Sequence, residues 1–281
     1  MITLDEQRLT SLKRGFHIPP KPELLDEIAS EMELDDACLD RIASMISKDI
    51  SLSALLLKTI NSPFFGLQRT ISDIKQAAMF LGLEQLNRLV TLALLKNNFV
   101  GDAYISLERF WDESVEVANA CVWLGHSYKS LMPVDELYSL GLFHNVGIAA
   151  MALKYRDYID VLQHANHAKE QVITELEQAR YQCDHAVIGY FIATSWHLPK
   201  PLCNVILNHH NSHFLQLSDN DHQRMAFAIL KCAESMIDYA RHRQHSSEWL
   251  KIKEQCFIEL GVIEQEYADL LEDYLDNSMA S

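Results

Sequence analysis

The chain is poor in turn formers, in positive charge and in paired cysteines, and each shortage removes a class of protein. Nine glycines and seven prolines among 281 residues are too few turn formers for a fold of many short strands, and they favour long helices. Lysine and arginine total 24 against 39 acidic residues, a formal net charge of -15. A nucleic acid would meet net repulsion unless the few cations cluster. Six cysteines stand at Cys38, Cys121, Cys183, Cys203, Cys232 and Cys256, and none forms a C-x-x-C pair. Scattered on apolar helical patterns, they read as small buried hydrophobes of a reducing compartment. No run of about 18 uncharged apolar residues suggests a membrane span. The first residues, Met-Ile-Thr-Leu-Asp-Glu-Gln-Arg, lack the basic and apolar regions of a secretory signal. The expectation is a soluble cytoplasmic protein with no membrane contact.

What the chain has is helical periodicity almost throughout. Leu24, Leu25 and Ile28 begin one stripe after the turn Ile18-Pro19-Pro20-Lys21-Pro22, and Leu39, Ile42, Ala43 and Ile46 form the next. Asp49 or Ser51 can cap a helix that ends near Asn61, because Ser62 precedes Pro63. Ser72 or Asp73 can cap another that Gly82 terminates, with a further helix from Glu84 to Leu94. Gly101-Asp102 reads as a loop and as the boundary between two lobes. Beyond it, patterns cover Leu107 to Tyr128, Asp135 to His144 with an end at Gly147, and Tyr158 to Ala165. Others cover Val172 to Tyr181, an Asp184-capped segment, Leu202 to Ile206, Ala226 to Tyr239 and Ile252 to Tyr274. The acidic stretch Glu264 to Asp276 reads as a solvated helix face. No repeat, low-complexity tract or convincing alternating segment is present.

Several residues invite a functional reading and have a plainer one. His209 and His213 share a helix face at i and i+4, next to His210, as metal ligands can. With no carboxylate before Asp219 they read as a surface histidine cluster, and His185, two residues after Cys183, is weak evidence by itself. Ile74 to Val90 has the outline of a helix-turn-helix. Only Lys75, Arg88 and Lys96 are at hand for phosphates, and Glu84 would face the groove; two packed core helices account for it better. Phe64, Phe65, Met79 and Phe80 could line a groove but read as core.

Asp49 to Gly66, with its Asn61-Ser62 followed by Phe64-Phe65-Gly66, and Ile71 to Gly82, with its Ala78-Met79-Phe80-Leu81-Gly82 end, resemble the HDOD family signature. The resemblance continues through Phe110-Trp111, Gly141 to Gly147, His185-Ala186, Trp196 to Pro199 and His209-His210, and so covers roughly Pro19 to Tyr239. It implies an all-α protein: a segment 1-18, an N-terminal helical lobe 19-101 packed on a degenerate HD-like helical bundle 102-240, and a helical extension 241-281.

HD hydrolases hold metal through a His, an adjacent His-Asp pair and a later Asp. Imidazole and carboxylate bind a divalent ion whose water becomes the nucleophile. Aligned on that pattern, Glu113 stands at the first His, His144 at the His of the pair, Asn145 at its Asp and Glu234 at the last Asp. One ligand of four is kept in type, and a neutral amide replaces a carboxylate beside it. His144 and Asn145 then serve most simply as satisfied buried polar groups. The resemblance implies a non-catalytic bacterial signalling or regulatory module that needs no cofactor and acts through signalling protein partners. The alternatives are a phosphohydrolase with an altered site on Glu113, His144, Asn145 and Glu234, any metal resting on Glu113, His144 and Glu234, and a nucleic-acid-binding regulator using Ile74 to Val90.

Overall fold

The computed structural model describes residues 15–34, 36–62, 67, 70–127, 132–167 and 171–279. Among these the secondary structure is helical, without a strand. Contacts divide the chain into two compact units, Lys21–Val100 and the remainder, Met1–Pro20 with Gly101–Ser281.

The smaller unit holds α1 (Glu23–Met32), α2 (Leu39–Ser47), α3 (Ile50–Ile60) and α4 (Ile74–Asn97). The apolar stripes become its core: Ile28, Ile42, Ile46, Leu52, Leu56 and Ile60 are essentially inaccessible. Asp49 caps α3 by accepting from the Leu52 N–H at 2.9 Å, and Asp73 caps α4 by accepting from the Gln76 N–H at 2.8 Å. Asn61 ends α3, and its side-chain amide brackets Ile71, donating to its carbonyl and accepting from its N–H, both at 2.8 Å. α4 is interrupted at Gly82, whose φ of 77° and ψ of 170° lie where a side chain is strained. By length and apolarity α4 alone, among the described residues, could cross a membrane; in this unit it packs against α1, α2 and α3.

The expectation that Met79 and Phe80 are core is overturned. Both are exposed, at 69% and 54%, because the inward face of the first α4 segment is taken by Ile74, Ala77 and Ala78. Phe64 and Phe65, with Pro63 and Gly66, lie outside the described residues.

The larger unit comprises α5 (Leu107–Ser127), α6 (Val134–Phe143), α7 (Val146–Lys154), α8 (Tyr158–His167) and α9 (Ile173–Tyr181). It continues with α10 (His185–Ser195), α11 (Lys200–Asn208), α12 (Phe214–Leu217), α13 (Asp221–His242), α14 (Ser247–Leu260) and α15 (Glu264–Met279). Its frame is α5 against α6 and α13, α7 against α10, and α14 against α13. Asp184 caps α10 through the Val187 N–H at 2.8 Å. The chain before α1 belongs to this unit too: the Pro19 carbonyl accepts from Ser195 Oγ at 2.5 Å and Trp196 Nε1 at 3.1 Å.

Two local readings need correction. The Asp135 segment ends at Phe143, not Gly147, which lies in the first turn of α7. The pattern from Ile252 to Tyr274 is two helices separated at Gly261–Ile263. In α15, Tyr267 and Leu271 are buried while most of the acidic residues are exposed. All six cysteines are free thiols, and five are buried.

Candidate functional site

A close helix contact builds the site. Residues His144 and Asn145 form the two-residue step between α6 and α7. Gly147 then lets α7 meet the start of α10 so tightly that a Cβ there would lie 2.0 Å from the His185 carbonyl oxygen. A methyl group cannot fit against backbone at that distance, so a hydrogen at 147 is what brings the His144-Asn145 step alongside His185. A cavity of about 350 Å³ opens in this unit, and His144, Asn145, His185, His210, Lys231 and Glu248 line it.

The four positions aligned with HD ligands have separate fates. Glu113 lies in the cavity wall, but its carboxylate accepts from Arg241 Nη1 at 2.5 Å, while Arg241 Nη2 reaches Glu116 at 2.9 Å. His144 is buried. Its Nδ1–H donates to the Gly141 carbonyl at 2.7 Å, leaving Nε2 toward Glu234 Oε1 at 3.4 Å. Burial pushes its pKa down to about 4, against the pull of Glu234, so the ring is neutral at physiological pH. Asn145 faces His209, with Oδ1 3.1 Å from Nε2.

Glu234 shares its carboxylate with a buried cation. Lys231 Nζ lies 2.7 Å from Glu234 Oε2 and 2.6 Å from Glu248 Oε1. Burial alone would lower the Lys231 pKa, but the two carboxylates more than offset it and hold the group as ammonium. Burial raises Glu248 in turn, and Lys231 with His210 reverses that, holding it well below the ordinary carboxylate range. One ammonium thus occupies Glu234, the aligned carboxylate, and offsets part of the negative charge that would attract a dication. The HD metal set does not fit these residues: one ligand is bound to arginine, one is an amide, and one is paired with lysine.

Beside them lies a cluster that single-residue reading missed. His185 and His209 are fully buried and His210 partly so; their ring nitrogens lie within 4.8 Å of one another. His209 and His210 are therefore not a surface pair. Only His213, the other member of the i and i+4 reading, is exposed. His185 Nε2 is 3.1 Å from His210 Nε2 and 3.4 Å from His209 Nε2. Each Nδ1 is already committed to an acceptor: His185 to Glu177 at 2.8 Å, His209 to the Ile206 carbonyl at 2.7 Å, His210 to Glu248 at 2.9 Å.

Glu177 is wholly buried; it also accepts from the Tyr158 hydroxyl and from the His185 N–H. Burial pushes its carboxyl up, but His185 and these donors outweigh that and hold it ionised. Burial and the positive charge of its neighbours push His209 well below its usual value, whereas for His185 the Glu177 carboxylate overcomes the effect of burial and raises it. The adjacent His209-His210 pair and, more weakly, His185 were the signals available in the sequence. Glu177 and Glu248 carried none.

Comparison with known proteins agrees with this architecture. The HDOD domain model matches residues 18–212, and the chain belongs to the HDOD domain family. An uncharacterised protein of Treponema pallidum is 27% identical over 194 residues; the match takes in 69% of this chain and 38% of that protein's length. The chain therefore spans about two fifths of that relative. Among solved structures, an HDOD domain protein of unknown function from Geobacter sulfurreducens superposes with a TM-score of 0.69 at 22% identity, covering 98% of this chain and 95% of that one. A Shewanella amazonensis chain, provisionally named a phosphohydrolase, superposes at 0.67 with 19% identity, covering 95% and 93%. At these identities the likeness is one of fold.

Proposed function

We propose that the chain is a regulatory module that transmits a signal through protein contacts and does not hydrolyse phosphoesters by the HD mechanism. The observation that carries this reading is the Lys231 ammonium seated on both Glu234 and Glu248. An HD centre needs carboxylates free to attract a dication and to lower the pKa of its water. Here the two carboxylates already share a cationic side chain that cannot dissociate, which offsets part of their charge. Asn145, an amide at the position of the paired Asp, and Glu113, held by Arg241, point the same way. Family membership supports a regulatory role, and with no carrier of hydrolysis the output of such a module is a contact.

The nucleic-acid reading has no comparable support. Lys75 pairs with Asp40 at 2.7 Å and Arg88 with Glu84 at 3.7 Å, so two of the three phosphate-contacting candidates of α4 sit in ion pairs on an acidic chain.

The test is a hydrolysis assay on phosphomonoesters, phosphodiesters and nucleotides with manganese, iron, nickel or zinc, run beside His144→Ala. No turnover above the variant is expected. Metal-dependent turnover abolished in His144→Ala would defeat the proposal. Site-specific photo-crosslinking in a bacterial host supplies the positive arm, and a discrete crosslinked protein partner is the expected product.

A further inference from the structure

We infer that the outer face of α14, continued through the turn into α15, is the surface on which this module receives its partner, and that the partner presents a basic amphipathic helix. The inference rests on the regulatory reading and names the contact that reading requires. It concerns residues beyond the 18–212 matched by the HDOD domain model.

α14 is apolar on two sides. Its inner side, Trp249, Ile252, Cys256 and Phe257, is buried. Trp249 and Phe257 hold α15 through Tyr267, with ring centroids 5.3 and 5.2 Å away. The outer side carries Leu250 at 55% exposure and Ile258 at 80%, and Ile263 follows at 64%. Positions 250 and 258 share a helix face and lie about 12 Å apart along its axis. Between Ile258 and Ile263 the chain turns at Gly261, which has a φ of 67° and nothing within 4 Å of where its Cβ would stand. Single exposed apolar residues are ordinary. Three aliphatics along one face and the turn that extends it form a ridge, and it stands on a packed aromatic backing.

The charge around the ridge selects its occupant. From Glu254 to Ser281 the chain has eight acidic residues and no lysine, arginine or histidine. Two of the eight are paired, Glu259 with Arg224 at 3.0 Å and Glu264 with Lys253. The other six are exposed and have no cationic partner among the described residues. Glu254 lies one turn before Ile258, and Glu266 accepts the Ile263 N–H at 2.9 Å, so a carboxylate accompanies each isoleucine.

An anionic membrane surface or a nucleic acid would be repelled here. A second copy of the chain, seated face to face, would oppose its own carboxylates. A segment whose aliphatic side chains cover the isoleucines, with lysine or arginine beside them, meets both demands. A helix supplies that spacing, since anchors at i and i+7 are about 10 Å apart, close to the separation of Leu250 and Ile258. The backing of Trp249, Phe257 and Tyr267 fixes the ridge before binding, which lowers the ordering cost.

The test places a photo-crosslinking phenylalanine in the full chain in place of Ile258 and, as a control, in place of Ile50, which is 82% exposed on the smaller unit. Native host cells are irradiated and the captured segment is sequenced by tandem mass spectrometry. Position 258 is expected to capture a lysine- or arginine-rich amphipathic segment of another protein. That segment, synthesised and titrated against the purified chain by fluorescence anisotropy, should lose about tenfold or more in affinity with Ile258→Glu, as for one anchoring side chain. The pair Glu254→Lys and Glu266→Lys should weaken it as well, and so should added salt. All three positions are exposed, so helical circular dichroism should be unchanged. Capture of a second copy of this chain, or of a neutral or acidic segment, overturns the inference. So does equal affinity for wild type and Ile258→Glu. Silence at 258 overturns it whatever position 50 gives, and capture at 50 alone leaves the regulatory reading standing. Metal-dependent turnover in the hydrolysis assay defeats that reading without altering what 258 captures.

Discussion

Two groups of residues meet in the cavity of the larger unit, and they differ in how they are held. Glu113 and Arg241 form an ion pair with side chains 54% and 32% exposed, where water screens both charges. His185, His209 and Glu177 are buried at 0%, and every ring N–H among the three histidines has a fixed acceptor. The first group occupies a position where HD enzymes have a ligand, without the geometry. The second is a set of converging histidine rings braced by buried partners. Residue type at an aligned position is therefore a poor guide to chemistry unless burial and the partner of each polar atom are also known.

Substitutions can break that contrast, and their expected effects fall in order. Glu177→Ala removes the acceptor of His185 Nδ1, the His185 N–H and the Tyr158 hydroxyl together. Because it strands buried partners, it should cost about 3–5 kcal/mol, measured as a shift in denaturant midpoint at unchanged slope. Lys231→Met leaves Glu234 and Glu248 without their cation. With 21% and 25% of those side chains exposed, the loss should lie near the low end of that range, about 3 kcal/mol. Denaturant unfolding of the variant beside the wild type checks the loss. If Lys231→Met proves neutral, the ammonium is not what holds the two carboxylates, and the proposed function loses its main support.

Gly147→Ala forces α7 away from the His185 carbonyl. About 2–3 kcal/mol is expected, as for overpacking in a core, read as a shift in the denaturant midpoint. Glu113→Ala should be the smallest effect, below about 1 kcal/mol as for a screened surface pair, measured by the same unfolding experiment. A large effect there would erase the distinction between the two groups.

Much of the fold was legible. The cap at Asp49 acts on Leu52, the one at Asp73 on Gln76 and the one at Asp184 on Val187, each within a single turn. Such signals survive without tertiary context, as does the helical period of Ile42, Ala43 and Ile46. The departures occurred where a local pattern has two solutions. Met79 and Phe80 follow an apolar helix but point away from its packed face. Gly147 looked like a terminator because a glycine near a helix end usually is one, whereas here its missing side chain admits another helix.

The family and the all-helical class are properties of the sequence itself, since each depends on residue identity and short-range order. The histidine cluster is different. Its contacts join residues 24 and 25 positions apart, from the starts and ends of separate helices, and its outer partners Glu177 and Glu248 come from two more. The packing of α10 on α11 decided that these rings converge, because only long-range contacts fix where each ring nitrogen points.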